Sequence, residues 1–205
     1  MNSLAHLSII LVLTAIFIGG NIAVEYWRRK TDNPLTQPLS DYLTGPYGWI
    51  QSIAYLCFAA AMPLLALYSH GSGIVFNSFL VGGIALVGVV MTKWVQLRVT
   101  GSLYDNIEHL HILCAGLAFG GCTVGLWLSV GIFTPLGWLV SVAPITTLAL
   151  TFGWPSIEQW LVKTFDCHPE ELSASTFQEK NYTAWLLTAF IAVAVYVARG
   201  QVLNS

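Results

Sequence analysis

The chain has 205 residues, of which 56% are hydrophobic and only 9% are charged. Soluble domains usually carry about a quarter charged residues, so this composition excludes a soluble fold with an ordinary hydrated surface. Lipid tolerates it, provided the backbone is satisfied within helices or a closed barrel. The apolar runs are long and unbroken, whereas barrel strands would alternate over roughly ten residues. An all-α, polytopic transmembrane bundle of about six helices is therefore expected, as one domain over residues 1–205 with no nucleic-acid partner.

A span needs about 20 apolar residues, and the first covers 7–24. The segment before it, Met1-Asn-Ser-Leu-Ala-His6, holds no positive charge, and no A-x-A site follows. It is accordingly read as a helix, not a cleaved signal peptide. The connection that follows contains Arg28-Arg29-Lys30 and then Asn33-Pro34-Leu35-Thr36-Gln37-Pro38-Leu39-Ser40-Asp41-Tyr42. Its prolines and small polar residues favour turns. The second span covers 47–68 and the third 74–93, with Lys93 at its end.

From Leu110 to Phe152 the apolar stretch is roughly twice one span. Thr134-Pro135-Leu136-Gly137 punctuates it, which predicts a fourth helix over 109–132 and a fifth over 136–153. Ser156 can cap a further segment, and Ile157, Trp160 and Leu161 share one face. That predicts an interfacial helix over 156–166 lying along the membrane. The sixth span covers 182–198.

Seven of the eight Lys and Arg, and all ten carboxylates, fall in or beside the first, third and fifth connections. Basic residues favour the cytoplasmic side, which would put both termini outside. The connections on the other side are short, so any functional site is expected at the charged end. The cysteines form no C-x-x-C pair and read as small hydrophobes. Asn21 and Asn77 are isolated polar residues in spans, whose ordinary role is interhelical hydrogen bonding.

The strongest constellation is Tyr104-Asp105-Asn106-Ile107-Glu108-His109-Leu110-His111. In a helix, Glu108 and His111 are neighbours, as are Asp105 and His109. The two histidines differ by about 200° of rotation and should diverge, which argues against one metal held by both. Glu108-x-x-His111 has the spacing of di-iron carboxylate bundles, but no second Glu-x-x-His exists in the chain. Glu108 and His111 therefore remain weak metal candidates. His111 heads a span where haem b could insert, and its plainer role is a helix-to-helix hydrogen bond near the interface.

Lys93 either snorkels to the interface, neutralises Glu108 or Asp105, or holds a lipid phosphate. Asp41, Lys93, Glu108 and His111 together form the candidate ligand pocket. Gly116, Gly120, Gly121 and Gly125 make two overlapping G-x-x-x-G spacings. These suit close packing inside the bundle, or a homodimer face through Gly116 and Gly120.

Pro38-Leu39-Ser40-Asp41-Tyr42-Leu43, then Gly45-Pro46-Tyr47-Gly48-Trp49-Ile50-Gln51, then His109-Leu110-His111 and Phe177-Gln178 recur in one order along the chain. In this the sequence resembles the DUF998 family of bacterial six-helix integral membrane proteins. The resemblance implies a multi-pass protein of the bacterial cytoplasmic (inner) membrane, and singles out Ser40, Gly45, Gly48, Trp49, His111 and Phe177-Gln178. It also implies the reverse orientation to the local charge count. It carries no activity with it. Three functions stay open: a lipid-interacting protein or membrane-complex subunit with a polar pocket at one face, a haem- or metal-dependent redox enzyme using His111, and a small-solute transporter.

Overall fold

The computed structural model describes residues 3–29, 37–69, 72–165 and 173–203. Six long helices account for most of the described residues: α1 (Ser3–Arg28), α2 (Gly48–Tyr68), α3 (Gly73–Gln96), α4 (Ser102–Val130), α5 (Pro135–Phe165) and α6 (Ala174–Leu203). All six are long and apolar enough to cross a membrane. The boundaries differ from the expected spans mainly at the charged end. There α1 continues to Arg28, α4 begins at Ser102, and α6 begins at Ala174. Apolarity marks where a helix is in lipid, while backbone hydrogen bonding lets it continue beyond the bilayer into polar sequence.

One expectation is corrected. Of the expected interfacial helix over 156–166, residue 166 lies outside the described residues, and the rest is not a separate helix; α5 continues through Pro144 and Pro155 to Phe165. Proline inside a membrane helix is tolerated when neighbouring groups support the backbone. Here the Trp154 ring packs on Phe177 of α6 with centroids 5.2 Å apart, and Gln178 Nε2 donates to Thr151 Oγ1 at 3.0 Å. These contacts hold the extension against α6 and keep it from folding away along the interface.

Consecutive helices pack in sequence, and α6 returns to α1, but α4 and α5 touch only sparingly. They join through a tight turn. Gly131 takes φ +82° after α4, a left-handed conformation that favours glycine. Thr134 caps α5 by accepting from Gly137 N–H at 3.0 Å, with Pro135 at the first helical position, where its missing N–H costs nothing. Trp127 Nε1 donates to Ser141 Oγ at 3.1 Å and ties the helices near this turn. Toward the charged end a seam separates them.

The α3–α4 contact is the most extensive in the bundle. A Cβ at Gly121 would lie 2.7 Å from both the Gly82 nitrogen and the Ser78 carbonyl oxygen, and one at Gly125 would meet the Phe79 ring at 2.9 Å. Gly121 and Gly125 thus serve packing inside the bundle. A Cβ at Gly116 or Gly120 would meet nothing within 4 Å. The core beneath is aromatic: Phe58 stacks with Phe17 at 4.8 Å and meets Phe190 edge-on at 5.1 Å, and Phe190 reaches Phe79.

Between α1 and α2, a short 3-10 helix (Leu39–Thr44) folds over the charged end, burying Leu39, Ser40, Tyr42 and Leu43. Gln51 anchors it, donating to Asn21 Oδ1 at 2.6 Å and to the Leu39 carbonyl at 3.3 Å. The Asn21 side chain thus bonds between helices, as expected, while Asn77 is exposed. A turn closed by Gly48 N–H to the Gly45 carbonyl at 2.9 Å leads into α2. Its third residue, Tyr47, adopts φ +68°, a strained state for a bulky residue, held by packing on Trp27 at 5.0 Å.

The glycine map makes a test. Gly121→Ala should destabilise the protein by about 1–3 kcal/mol, since its methyl meets backbone that cannot yield locally. Gly120→Ala should leave stability unchanged or slightly raised. Thermal unfolding of the two variants in one detergent compares them directly, and equal melting points would contradict the α3–α4 packing.

Candidate functional site

Four elements bring polar side chains together at the charged end. The 3-10 helix supplies Asp41, the last turns of α3 supply Thr92, Lys93 and Gln96, the start of α4 supplies Glu108 and His111, and α6 supplies Glu179. Lys93 Nζ lies 2.8 Å from Asp41 Oδ1 and 3.8 Å from Glu108 Oε2. Its side chain is only 9% exposed, against 38% for each carboxylate. Lys93 therefore turns into the protein instead of snorkelling outward. Gln96 Nε2 donates a further hydrogen bond to Glu108 Oε2. Asp105 is exposed and takes no part in the pair.

His111 is buried, with Nδ1 3.0 Å from Thr92 Oγ1. The Thr92 hydroxyl has one proton, and the Gly88 and Val89 carbonyls lie 2.8 and 3.0 Å from its oxygen. That proton goes to the backbone, so His111 Nδ1 is the donor and a neutral ring keeps its lone pair on Nε2. His109 diverges as the helix rotation predicts: it is exposed, with Nδ1 2.7 Å from the Asp105 carbonyl oxygen. Among the described residues no group of three or more His, Cys, Asp or Glu is placed to hold a metal ion. Glu108 and His111 thus lack a third partner of that kind.

All four residues of the expected pocket line one cavity of about 550 Å³. The α4–α5 seam forms its side. One wall is apolar, made by Ile112, Ala115, Gly116 and Phe119 of α4; the polar head adds Ser40, Gln178, Glu179 and Tyr182. Asp41 and Lys93 also line a second cavity of about 280 Å³ beside Arg28, Gln96 and Tyr104. Their ion pair is a partition between the two. Gly116 sits on the large cavity's wall, whereas Gly120 lies in a shallow groove with Asn77 and Ser78.

Glu179 is the main residue that sequence reasoning missed. Its Oε1 accepts from the Ser40 backbone N–H at 3.2 Å, and it makes no other hydrogen bond or ion pair among the described residues. Its neighbour Lys180 turns the other way, to Glu25 Oε1 at 2.5 Å. The missed signal was spacing: Ser175, Gln178, Glu179 and Tyr182 recur at helical intervals of three and four. With α6 expected only from 182, that face did not exist to be read.

The fold defines the class: the chain is a multi-pass integral membrane protein whose polar residues gather at one end of the helices. No family model, curated protein or solved structure matches the chain.

The buried ammonium predicts a stability pattern. Lys93→Met should cost roughly 1–3 kcal/mol, between the values for exposed and fully buried pairs, because it leaves Asp41 and Glu108 facing each other. Adding Asp41→Asn should recover part of that loss. A double-mutant cycle by unfolding in mild denaturing detergent measures the coupling, and strict additivity would show that the pair is energetically idle.

Proposed function

We propose that the chain binds a single membrane amphiphile, with its polar head among Asp41, Lys93, Glu108 and His111 and its tail along α4. The observation that carries this reading is the composition of one cavity. It joins a charge network centred on the buried Lys93 to an apolar wall, beside a seam where α4 and α5 part. Exposed Leu113 and Leu117 on α4 and Ile145 and Leu148 on α5 continue the apolar surface into the lipid region. The cavity's volume falls in the range of about 300–1,000 Å³ typical of small-ligand pockets. Polar side chains in spans are costly and cluster where they serve a ligand or another helix.

The segments on which the DUF998 resemblance rests support the same reading. Pro38, Ser40 and Asp41 from one motif, His111 from another and Gln178 from a third all line this cavity. We extend that kinship, and a bacterial cytoplasmic membrane setting, to the chain as part of the proposal.

Native mass spectrometry of protein purified from its own membranes in mild detergent tests it. One amphiphile per chain is expected, and Ala115→Trp and Gly116→Trp should each displace it by filling the wall. Gly120→Ala, outside the cavity, should retain it. Absence of any adduct, or an adduct indifferent to both tryptophans, would sink the idea.

A further inference from the structure

The polar groups that the cavity presents are unequal in sign, and this bears on what the head of the amphiphile is. Its lining holds three carboxylates, Asp41, Glu108 and Glu179, against one ammonium, Lys93. The formal excess is two negative charges. Lys93 is already engaged by Asp41 and Glu108, and Glu108 accepts from Gln96 as well. Lys93 is the one cation of the lining, so an anionic head such as a phosphate would compete with both carboxylates for it.

Unused accepting capacity also faces the cavity. Glu179 lines the cavity with one carboxylate oxygen bonded to the Ser40 N–H, and its other oxygen meets no donor among the described residues. His111, whose Nδ1–H is spent on Thr92 beside the Val89 carbonyl, keeps the lone pair of Nε2 as an acceptor. Tyr182 is no rival donor. Thr123 gives its own proton to the Phe119 carbonyl at 2.8 Å, so the Tyr182 hydroxyl donates to Thr123 Oγ1 at 2.6 Å. A desolvated carboxylate without a donor is costly, and hydrogen bonds to charged groups are the strong ones.

We propose that the amphiphile carries a primary ammonium head, whose N–H groups bond Glu179 and His111 while its charge offsets the acidic excess. This rests on the amphiphile reading above and specifies its ligand class. A quaternary ammonium would satisfy the charge but supply no N–H, and an anionic head would add to the excess.

The test uses the full chain in nanodiscs containing equal mole fractions of hexadecylamine, hexadecanol or hexadecyl phosphate, with bound adducts counted by native mass spectrometry. The amine should exceed the phosphate by roughly tenfold or more, the scale of one charge-assisted hydrogen bond. Glu179→Gln keeps an acceptor for the Ser40 N–H but removes the charge. It should lower amine occupancy by about tenfold and leave the alcohol unchanged, so retained alcohol binding also reports an intact cavity. Phosphate binding equal to the amine, or a Glu179→Gln variant that moves amine and alcohol together or neither, overturns the ammonium assignment alone. Failure of all three probes to bind overturns the amphiphile reading itself.

Discussion

The charged end of this bundle is organised around one ammonium group. Lys93 stands at the last turn of α3 and is almost wholly buried, with Asp41 at 2.8 Å and Glu108 at 3.8 Å. Those two carboxylates come from a 3-10 helix before α2 and from the start of α4, so one charge ties three elements that are remote in sequence. A lone lysine so enclosed would be an uncompensated buried charge. Two acidic partners hold it in place. The 3-10 helix is in turn held by Gln51 and Asn21, so the pair is preorganised by neutral hydrogen bonds beneath it.

The cavity is a consequence of uneven helix packing. Glycines at 82 and 121 let α3 and α4 meet at backbone distance, and those at 88 and 125 make room for Cys114 and Phe79. Pulling α4 toward α3 draws it away from α5 and α6, since α4 cannot press closely on both sides. The tight turn at 131–134 and the Trp127–Ser141 bond keep α4 and α5 together at one end only. The resulting wedge opens where the charged residues gather. Pro63 has a similar local effect elsewhere: it leaves the Ala59 carbonyl without its helical N–H, and Gly83 packs against that oxygen, where a Cβ would fall at 2.6 Å.

Much of the architecture was legible in the sequence because lipid imposes a length and a composition on each span. The six helices, the turn at Thr134–Gly137 and the grouping of Asp41, Lys93, Glu108 and His111 at one end all follow from apolar runs and the placement of charge. Hydropathy is silent where a helix leaves the lipid. That is why the first turns of α4 and α6 were missed, and why α5 beyond Trp154 was expected to break. It was Glu179 that this hid. The residue was visible only as one charge in a loop, whereas on a helix it faces the cavity from the side opposite His111's helix. The choice for Lys93 between snorkelling and pairing was equally undecidable from α3 alone, because its partners lie on other elements.

The arrangement of acceptors has a physical logic that a count of charges does not convey. Several donors at the head of the cavity are committed to neighbours on other elements: Lys93 to Asp41, Gln96 to Glu108, His111 Nδ1 to Thr92, Tyr182 to Thr123. Such bonds are what hold helices together in lipid, where apolar contact gives no advantage over the solvent. Helix association thus consumes donors, because a backbone already saturated in its own hydrogen bonds leaves mainly side chains to bridge between helices. Among the acceptors left over are one oxygen of Glu179 and the second nitrogen of His111. On the ammonium assignment, the same bonds that close the bundle also bias the sign of what can enter it.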